Sequence, residues 1–208
     1  MNNIINVYIK PEGEGRIPQY ASMHAAGCDL YATRDMAIRP GETKIMPLDF
    51  TMAIDNEFEV QIRPRSGLSL KTELRVPNAP GTIDSDYRDT VGVILQNTYN
   101  IANLPYQIAA NPQILEDIHA NYEEVSLSEY LARQGCQISP EASALNVAGE
   151  KIYIDRHGNP YGTIYIKKGD RIAQMVFCKY MRANFIPHPN PREIGTDRGG
   201  GFGHTGLD

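Results

Sequence analysis

The segment Arg63-Pro64-Arg65-Ser66-Gly67-Leu68-Ser69-Leu70-Lys71 sets arginines, hydroxyls and a glycine within a few residues of one another. Guanidinium forks match phosphate oxygens, a serine hydroxyl donates a further hydrogen bond, and glycine lets backbone approach an anion closely. A basic surface turn paired with carboxylates would use the same residues. A second group, Asn78-Ala79-Pro80-Gly81-Thr82-Ile83-Asp84-Ser85-Asp86-Tyr87-Arg88-Asp89, gathers three acids and an arginine within six residues. Turns hold Asp and Ser without functional reason. An aspartate at the end of a β element, beside an amide and a tyrosine, nevertheless suits a general base that activates water. In Gly169-Asp170-Arg171-Ile172-Ala173-Gln174-Met175-Val176-Phe177, Gln174 is polar among apolar neighbours; the outward face of a strand explains it as well as a site does. Near the C-terminus, RGGGFGHTG sets a cation, an aromatic ring and a hydroxyl among glycines. That suits either a disordered end, or a lid whose amides approach an anion while Phe202 covers an apolar face.

These groups need rigid elements to hold them, and the first hundred residues supply strand-like stretches. INVYIK (5–10), TKIMPLDFTMAI (43–54), FEVQIRP (58–64) and TVGVILQN (90–97) are rich in Val, Ile, Phe and Thr and are bounded by Gly, Pro and Asn or Asp. Strands this close in sequence leave no room for helical crossovers, so their pairing is predicted to be mostly antiparallel, as in a sandwich, barrel or jelly roll. The fold class is therefore mainly β. Between these strands and a second β-like stretch from Lys151 onward, NPQILEDIHANYEE and SLSEYLARQG carry apolar residues at helical spacing. Ser126 and Glu129 fit a capping box, with Gly135 ending the helix. Residues from about Ile101 to about Gly149 read as a partly helical insertion, neutral or functional with equal weight. His157-Gly158-Asn159-Pro160 is predicted to form a hairpin turn. The expected organisation is a β domain over 1–183, interrupted at 101–149, and a glycine-rich arm over 184–208.

Composition limits the partners. The chain has 208 residues with 20 Lys plus Arg against 25 Asp plus Glu, a formal charge of −5, which argues against a broad basic surface for nucleic acid or anionic lipid. An anionic ligand must meet local cations. Hydrophobic residues make up 41% and charged residues 22%, and no apolar run approaches the roughly 18 residues of a membrane span. The N-terminus lacks the features of a secretory signal, and a cytoplasmic location is expected. Cys28, Cys136 and Cys178 are odd in number and widely spaced; they are expected to be buried, reduced thiols rather than disulfides or zinc ligands.

The order and spacing of AAGCDL (25–30), RPRSGLSLK (63–71), NAPGTIDSDYRDTVGVILQN (78–97), GDRIAQMVF (169–177) and RGGGFGHTG (198–206) resemble the five motifs of the trimeric dUTP pyrophosphatase (dUTPase) family. The resemblance spans roughly residues 4–100 and 160–206. It implies a jelly-roll-like subunit, a homotrimer with active sites at subunit interfaces, and hydrolysis of dUTP to dUMP and pyrophosphate with Mg²⁺ on the triphosphate. By motif position, Asp84 corresponds to the carboxylate that deprotonates the attacking water, and Tyr87 to the ring against deoxyribose that leaves no room for a 2′-hydroxyl. Asn78, Gly81 and the neighbouring backbone correspond to the uracil-reading hairpin. Arg65, Ser66, Gly67 and Gln174 fall where the family holds phosphates, and Asp29 where an acid supports the metal through water. Arg198, Phe202 and Thr205 fall in an arm that closes over a neighbouring subunit's nucleotide.

The chain departs from the family pattern in three places. Cys28 stands where an aromatic residue is common; the arm has three glycines between Arg198 and Phe202, one residue short of the usual spacing, with His204 in place of Ser; and the insertion is long. Some bacteriophage members carry extra segments near this place that bind other proteins, so a protein partner for 101–149 is an expectation from the resemblance. Two alternatives stand beside it. One is a dCTP deaminase-like enzyme; the other is a regulatory nucleotide-binding module acting through the insertion.

Overall fold

The computed structural model describes residues 4–137, 139–140, 149–197 and 199. Its elements in chain order are β1 (Val7–Pro11), β2 (Gln19–Tyr20), β3 (Cys28–Tyr31), β4 (Met36–Ile38), β5 (Thr43–Pro47), β6 (Phe50–Ile54), β7 (Phe58–Arg63), α1 (Ser66–Lys71), β8 (Leu74–Arg75), β9 (Gly81–Ile83), β10 (Gly92–Asn97), α2 (Leu104–Ala110), α3 (Gln113–Asn121), β11 (Tyr122–Ser126), α4 (Leu127–Arg133), β12 (Lys151–Asp155), β13 (Ile164–Ile166) and β14 (Arg171–Lys179). Every strand pair among the described residues is antiparallel. The mainly β expectation holds, in a jelly-roll-like arrangement.

The largest sheet runs β2-β3-β14-β7-β9, with β5-β10-β8 and the pairs β1-β6, β13-β4 and β11-β12 completing the structure. Many neighbours in space, such as β1 and β6, β3 and β14 or β4 and β13, are distant in sequence, and the strands of the main cluster turn their apolar faces toward one shared core. Alternation achieves this: Phe50, Met52 and Ile54 of β6, Val60 and Ile62 of β7, and Val93 and Leu95 of β10 are buried while residues between them are more exposed. They join Leu30, Ile38, Met46, Leu74, Ile172 and Met175 in one apolar cluster. Each such side chain contributes roughly 1.5–3 kcal/mol by leaving water.

Asn97 occupies the third inward position of β10 and is fully buried. It survives there because its polar atoms are all engaged. Its Nδ2 donates to the carbonyls of Ile38 (2.9 Å) and Gly162 (2.8 Å), and its Oδ1 accepts from the Tyr99 amide (2.9 Å). One amide thus ties together the two stems of the inserted segment.

Several local expectations need correction. TKIMPLDFTMAI is two strands, broken at Leu48-Asp49, where Asp49 takes a left-handed conformation (φ 52°). NYEE is not helical throughout: α3 ends at Asn121, and Tyr122–Ser126 pairs with Lys151–Asp155 as β11-β12. That pairing buries Val125 and Ile154 beside Leu104 and Ile118, a small core separate from the main cluster. Half of the expected capping box forms: the Ser126 hydroxyl accepts from the Glu129 amide at 3.2 Å, while the Glu129 carboxylate takes Arg133 Nη2 (2.6 Å); Gly135 stands at φ +73° past the helix end. His157–Pro160 forms the expected hairpin turn, with Gly158 at φ +74°, an antiparallel bridge between Ile154 and Pro160 and the Tyr161 amide donating to the Tyr153 carbonyl (2.8 Å); β13 beyond it pairs with β4. Of the cysteines only Cys28 is buried; Cys178 is half-buried and Cys136 exposed, all three free. Positions 138 and 141–148 of the expected insertion lie outside the described residues. No helix among the described residues is long and apolar enough to cross a membrane.

Candidate active site

Two groups of expected site residues are assembled at separate places. The first lies where β3, β14 and β7 run side by side. Asp29 is opposite Gln174, which is opposite Arg63, so the three share a row across the sheet. The Asp29 carboxylate is largely buried, its side chain 13% exposed, and carries two cations: Arg65 Nε at 2.9 Å on Oδ1 and Arg171 Nη1 at 3.3 Å on Oδ2. Burying a carboxylate this far is tolerable only with such pairing. Arg65 Nη1 also donates to the Arg171 carbonyl at 3.3 Å. Gln174 Nε2 donates to the Pro64 carbonyl at 3.0 Å, and a Cβ on Gly27 would lie 2.8 Å from Gln174 Oε1. Glycine at 27 thereby leaves room for the amide to sit over the Arg-Ser-Gly turn.

Beyond Arg65 the chain enters α1, whose first residues are Ser66 and Gly67; both are exposed. Apart from its chain neighbours and the backbone of its own helix, nothing among the described residues lies within 4 Å of where a Gly67 Cβ would stand. Glycine is therefore not demanded there by packing within the chain, and the space in front of the turn is open. Behind the row, burial pushes the Cys28 thiol up, and it donates weakly to the Met175 carbonyl (3.5 Å). Cys28 is a packing residue.

The second group lies on β9 and the turn after it. Asn78 packs against Gly81, where an added Cβ would come within 2.9 Å of its Nδ2. The turn is closed by the Tyr87 amide donating to the Asp84 carbonyl (3.1 Å), and the Tyr87 hydroxyl donates to the Thr90 carbonyl (3.0 Å). Two other charges serve local structure: Arg88 donates to the carbonyls of Ser85 and Tyr87, and Asp89 accepts from the Thr90 amide; the exposed Asp86 carboxylate, like that of Asp84, has no partner among the described residues. The Asp84 carboxylate is exposed and has no hydrogen-bond or ion-pair partner among the described residues. Tyr87 is 41% exposed.

Register measures the gap between the groups. Ile83 is opposite Val60 on β7, three residues before Arg63, and β9 is three strands from β3. With about 3.3 Å per residue and about 4.8 Å between strands, Asp84 and the Asp29–Arg65 pair are on the order of 15–20 Å apart. One chain thus brings Asp29, Arg65, Ser66, Gly67 and Gln174 together, and separately Asn78, Gly81, Asp84 and Tyr87. Arg198, Phe202 and Thr205 lie outside the described residues. Arg171, a part of the GDRIAQMVF motif to which spacing attached no role, belongs to the first group.

Comparison with known proteins follows this division. A family model described as dUTPase matches residues 13–110, a stretch containing both groups except Arg171 and Gln174. A deoxyuridine 5′-triphosphate nucleotidohydrolase of Wolbachia pipientis subsp. Culex pipiens is 40% identical over 138 residues, 62% of this chain and 88% of the relative. The Rickettsia felis protein of the same name is 40% identical over 117 residues, 55% of this chain and 77% of that one. Among solved structures, a variant of the Staphylococcus bacteriophage 80alpha dUTPase with dUpNHpp superposes at TM-score 0.66 and 20% identity, covering 97% of this chain and 99% of that one. A variant dUTPase from phage phi11 of S. aureus, described with a coordinated structural Mg(II) ion, superposes at TM-score 0.59 and 20% identity over 89% and 97% of the two chains. The structural likeness shows a shared fold, the 40% identity covers most of each bacterial relative, and the chain belongs to the dUTPase family.

Proposed function

We propose that this protein hydrolyses dUTP to dUMP and pyrophosphate in a homotrimer whose active sites combine the two groups from neighbouring subunits. The observation that carries this reading is the separation of on the order of 15–20 Å between Asp84 and the Arg65 cluster within one chain. A nucleoside triphosphate cannot be held at its phosphates by Arg65 and met at its α-phosphorus by Asp84 across that gap. Both halves are open toward an external partner: Gly67 faces empty space and the Asp84 carboxylate has no partner among the described residues.

Arg65, the Ser66 hydroxyl, the Gly67 backbone and Gln174 bind the phosphates, and Asp29 holds Arg65 in place. From a neighbouring chain, Asp84 accepts a proton from a water that attacks the α-phosphorus in line; the bond to the bridging oxygen breaks and pyrophosphate leaves. Positioning and charge neutralisation suffice for such a transfer. Tyr87 packs on deoxyribose, and the Asn78–Gly81 hairpin reads uracil, since backbone groups facing the wrong base edge would be left unpaired at about 1–3 kcal/mol each. Arg198, Phe202 and Thr205 close over the bound nucleotide.

The donor set fits Mg²⁺: with each Asp29 oxygen already accepting from a guanidinium, Asp29 would hold the ion through water, in keeping with the reluctance of Mg²⁺ to shed its waters. When bound, the ion neutralises triphosphate charge. Three free thiols support a reducing, cytoplasmic setting. The inserted segment, with Tyr106 and Ile101 exposed, is assigned a protein partner; excising it would abolish that association in a host-lysate pull-down and leave turnover in place.

Pyrophosphate release is measured from dUTP beside dCTP, dTTP and UTP, with ammonia release from dCTP as a second readout. Hydrolysis confined to dUTP and lost in Asp84→Asn is expected. Deamination of dCTP, or an absence of hydrolysis, would transfer the chain to one of the alternative functions.

A further inference from the structure

We propose that the seam between the inserted segment and the β domain is a binding site for an organic cation, a guanidinium or alkylammonium group received by Tyr99, Tyr122, Tyr161 and Asp117. The site uses none of the residues assigned to the nucleotide and does not depend on that reading.

Two devices of the fold build the seam. Asn97 accepts from the Tyr99 amide and donates to the Gly162 carbonyl, which brings the outgoing and returning stems of the insertion together. Gly162, at φ +85°, has no side chain where the Tyr99 ring is seated, and the Tyr99 hydroxyl donates to Gln107 Oε1 at 2.7 Å. The β11-β12 ladder then sets Tyr122, the first residue of β11, beside Tyr161. Tyr161 meets Tyr122 at a centroid distance of 5.1 Å and an angle of 63°, and Tyr99 at 6.0 Å and 70°. Rings that meet edge to face form corners instead of stacks, so in each pair one ring keeps both faces clear of the other. All three rings are only half-buried and line an open pocket of about 450 Å³, a volume within the range of ligand sites. The hydroxyls of Tyr122 and Tyr161 have no hydrogen-bond partner among the described residues.

Charge decides the sign of the ligand. The faces of tyrosine rings attract cations, and the same pocket is lined by Asp117. Its carboxylate accepts from Asn121 Nδ2 at 2.8 Å and meets no cation among the described residues. Burial pushes the Tyr122 and Tyr161 phenols up, and the Asp117 charge adds to the effect on both, so the carboxylate acts on the two rings at once. Of the cations on the β-domain side, Arg75 is spent on the carbonyls of Thr72 and Leu74 and on Glu73, while Lys71 is exposed. The wider field has the same sign as Asp117. Residues 101–149 hold six of the 25 acids and one of the 20 basic residues, a formal charge of −5, which is that of the whole chain; the remainder is balanced. A cation is therefore drawn to this segment.

The test is an NMR titration of the full-length protein, labelled in its tyrosine rings, with acetyl-arginine amide beside acetyl-citrulline amide, which has a similar shape without the charge. Saturable shifts confined to Tyr99, Tyr122 and Tyr161 are expected, with arginine bound at least about fivefold tighter than citrulline. Tyr161→Leu and Asp117→Asn are each expected to weaken arginine binding by about threefold or more, and Lys71→Gln to strengthen it by about twofold through loss of a like charge. Turnover of dUTP in Tyr161→Leu and Asp117→Asn stays within about twofold of the parent, because the two sites share no residue. An arginine-centred pentapeptide and the free amines agmatine and spermidine separate the sources of such a group: tighter binding of the peptide assigns the site to a side chain of a protein partner, and tighter binding of the amines to a free small molecule. Equal affinity for arginine and citrulline, shifts spread over the other tyrosines, or an Asp117→Asn variant that binds as tightly as the parent overturns the proposal. Should Tyr161→Leu not fold, Asp117→Asn and the citrulline comparison decide it.

Discussion

Of the three acids between residues 84 and 89, Asp89 secures the Thr90 amide, whereas the exposed carboxylates of Asp84 and Asp86 both have no partner among the described residues. Asp84 differs from Asp86 in standing directly after β9, where the turn uses its backbone carbonyl alone. Replacing it with Asn therefore removes the proposed base and leaves the local fold intact. Asp84→Asn is expected to lower kcat for dUTP by about 10²–10⁴, with thermal unfolding within about 1 °C of the parent. A kcat within tenfold of the parent would remove Asp84 from its role. Tyr87 is tied by its hydroxyl to the Thr90 carbonyl, with its ring partly open. Tyr87→Ala takes away the wall proposed at the 2′ position, so the preference for dUTP over UTP is expected to fall by about tenfold or more in kcat/KM, a size typical of steric discrimination. Spacing could name these residues, but that Asp89 is spent on the turn while Asp84 is not depends on the turn's hydrogen bonds.

At the scale of the element, alternation was legible and interruptions were not. The buried positions of β6, β7 and β10 follow from period-two patterns readable in FTMAI, FEVQIR and GVILQN. The chain break at Asp49 and the bulge at Ile172 leave no such pattern, since each is decided by how a strand meets a partner far away in sequence. Tyr122–Ser126 shows the same limit: its residues satisfy a helical pattern locally, yet they form strand because Lys151–Asp155 supplies a ladder. Asn97 is the polar exception in a buried alternation. Asn97→Ala would leave the Ile38 and Gly162 carbonyls and the Tyr99 amide without their partner. A loss of about 2–3 kcal/mol in denaturant unfolding is expected, several times that of an exposed Asn→Ala change.

At the scale of the whole molecule, the proposed sharing of the site between subunits has a consequence for activity. If each site takes Arg65 from one subunit and Asp84 from another, Arg65→Gln and Asp84→Asn are each inactive alone but complement when unfolded together and refolded as mixed assemblies. Random assortment leaves about one quarter of sites with both residues intact. Recovery near a quarter of parental activity is expected; none would mean that both residues must come from the same chain.

The five motifs, their order, the mainly β class and the residue types of the site were all present in the linear chain, because side-chain chemistry and period-two patterning are local properties. The division of that site was not. Asp84 is only 19 residues from Arg65 in sequence, counting 84 − 65, yet β9 enters the sheet antiparallel to β7 and leaves it at the opposite end. Strand direction and register, set by the need of every strand to turn its apolar face to one core, decide that these neighbours in sequence stand at opposite ends of the sheet.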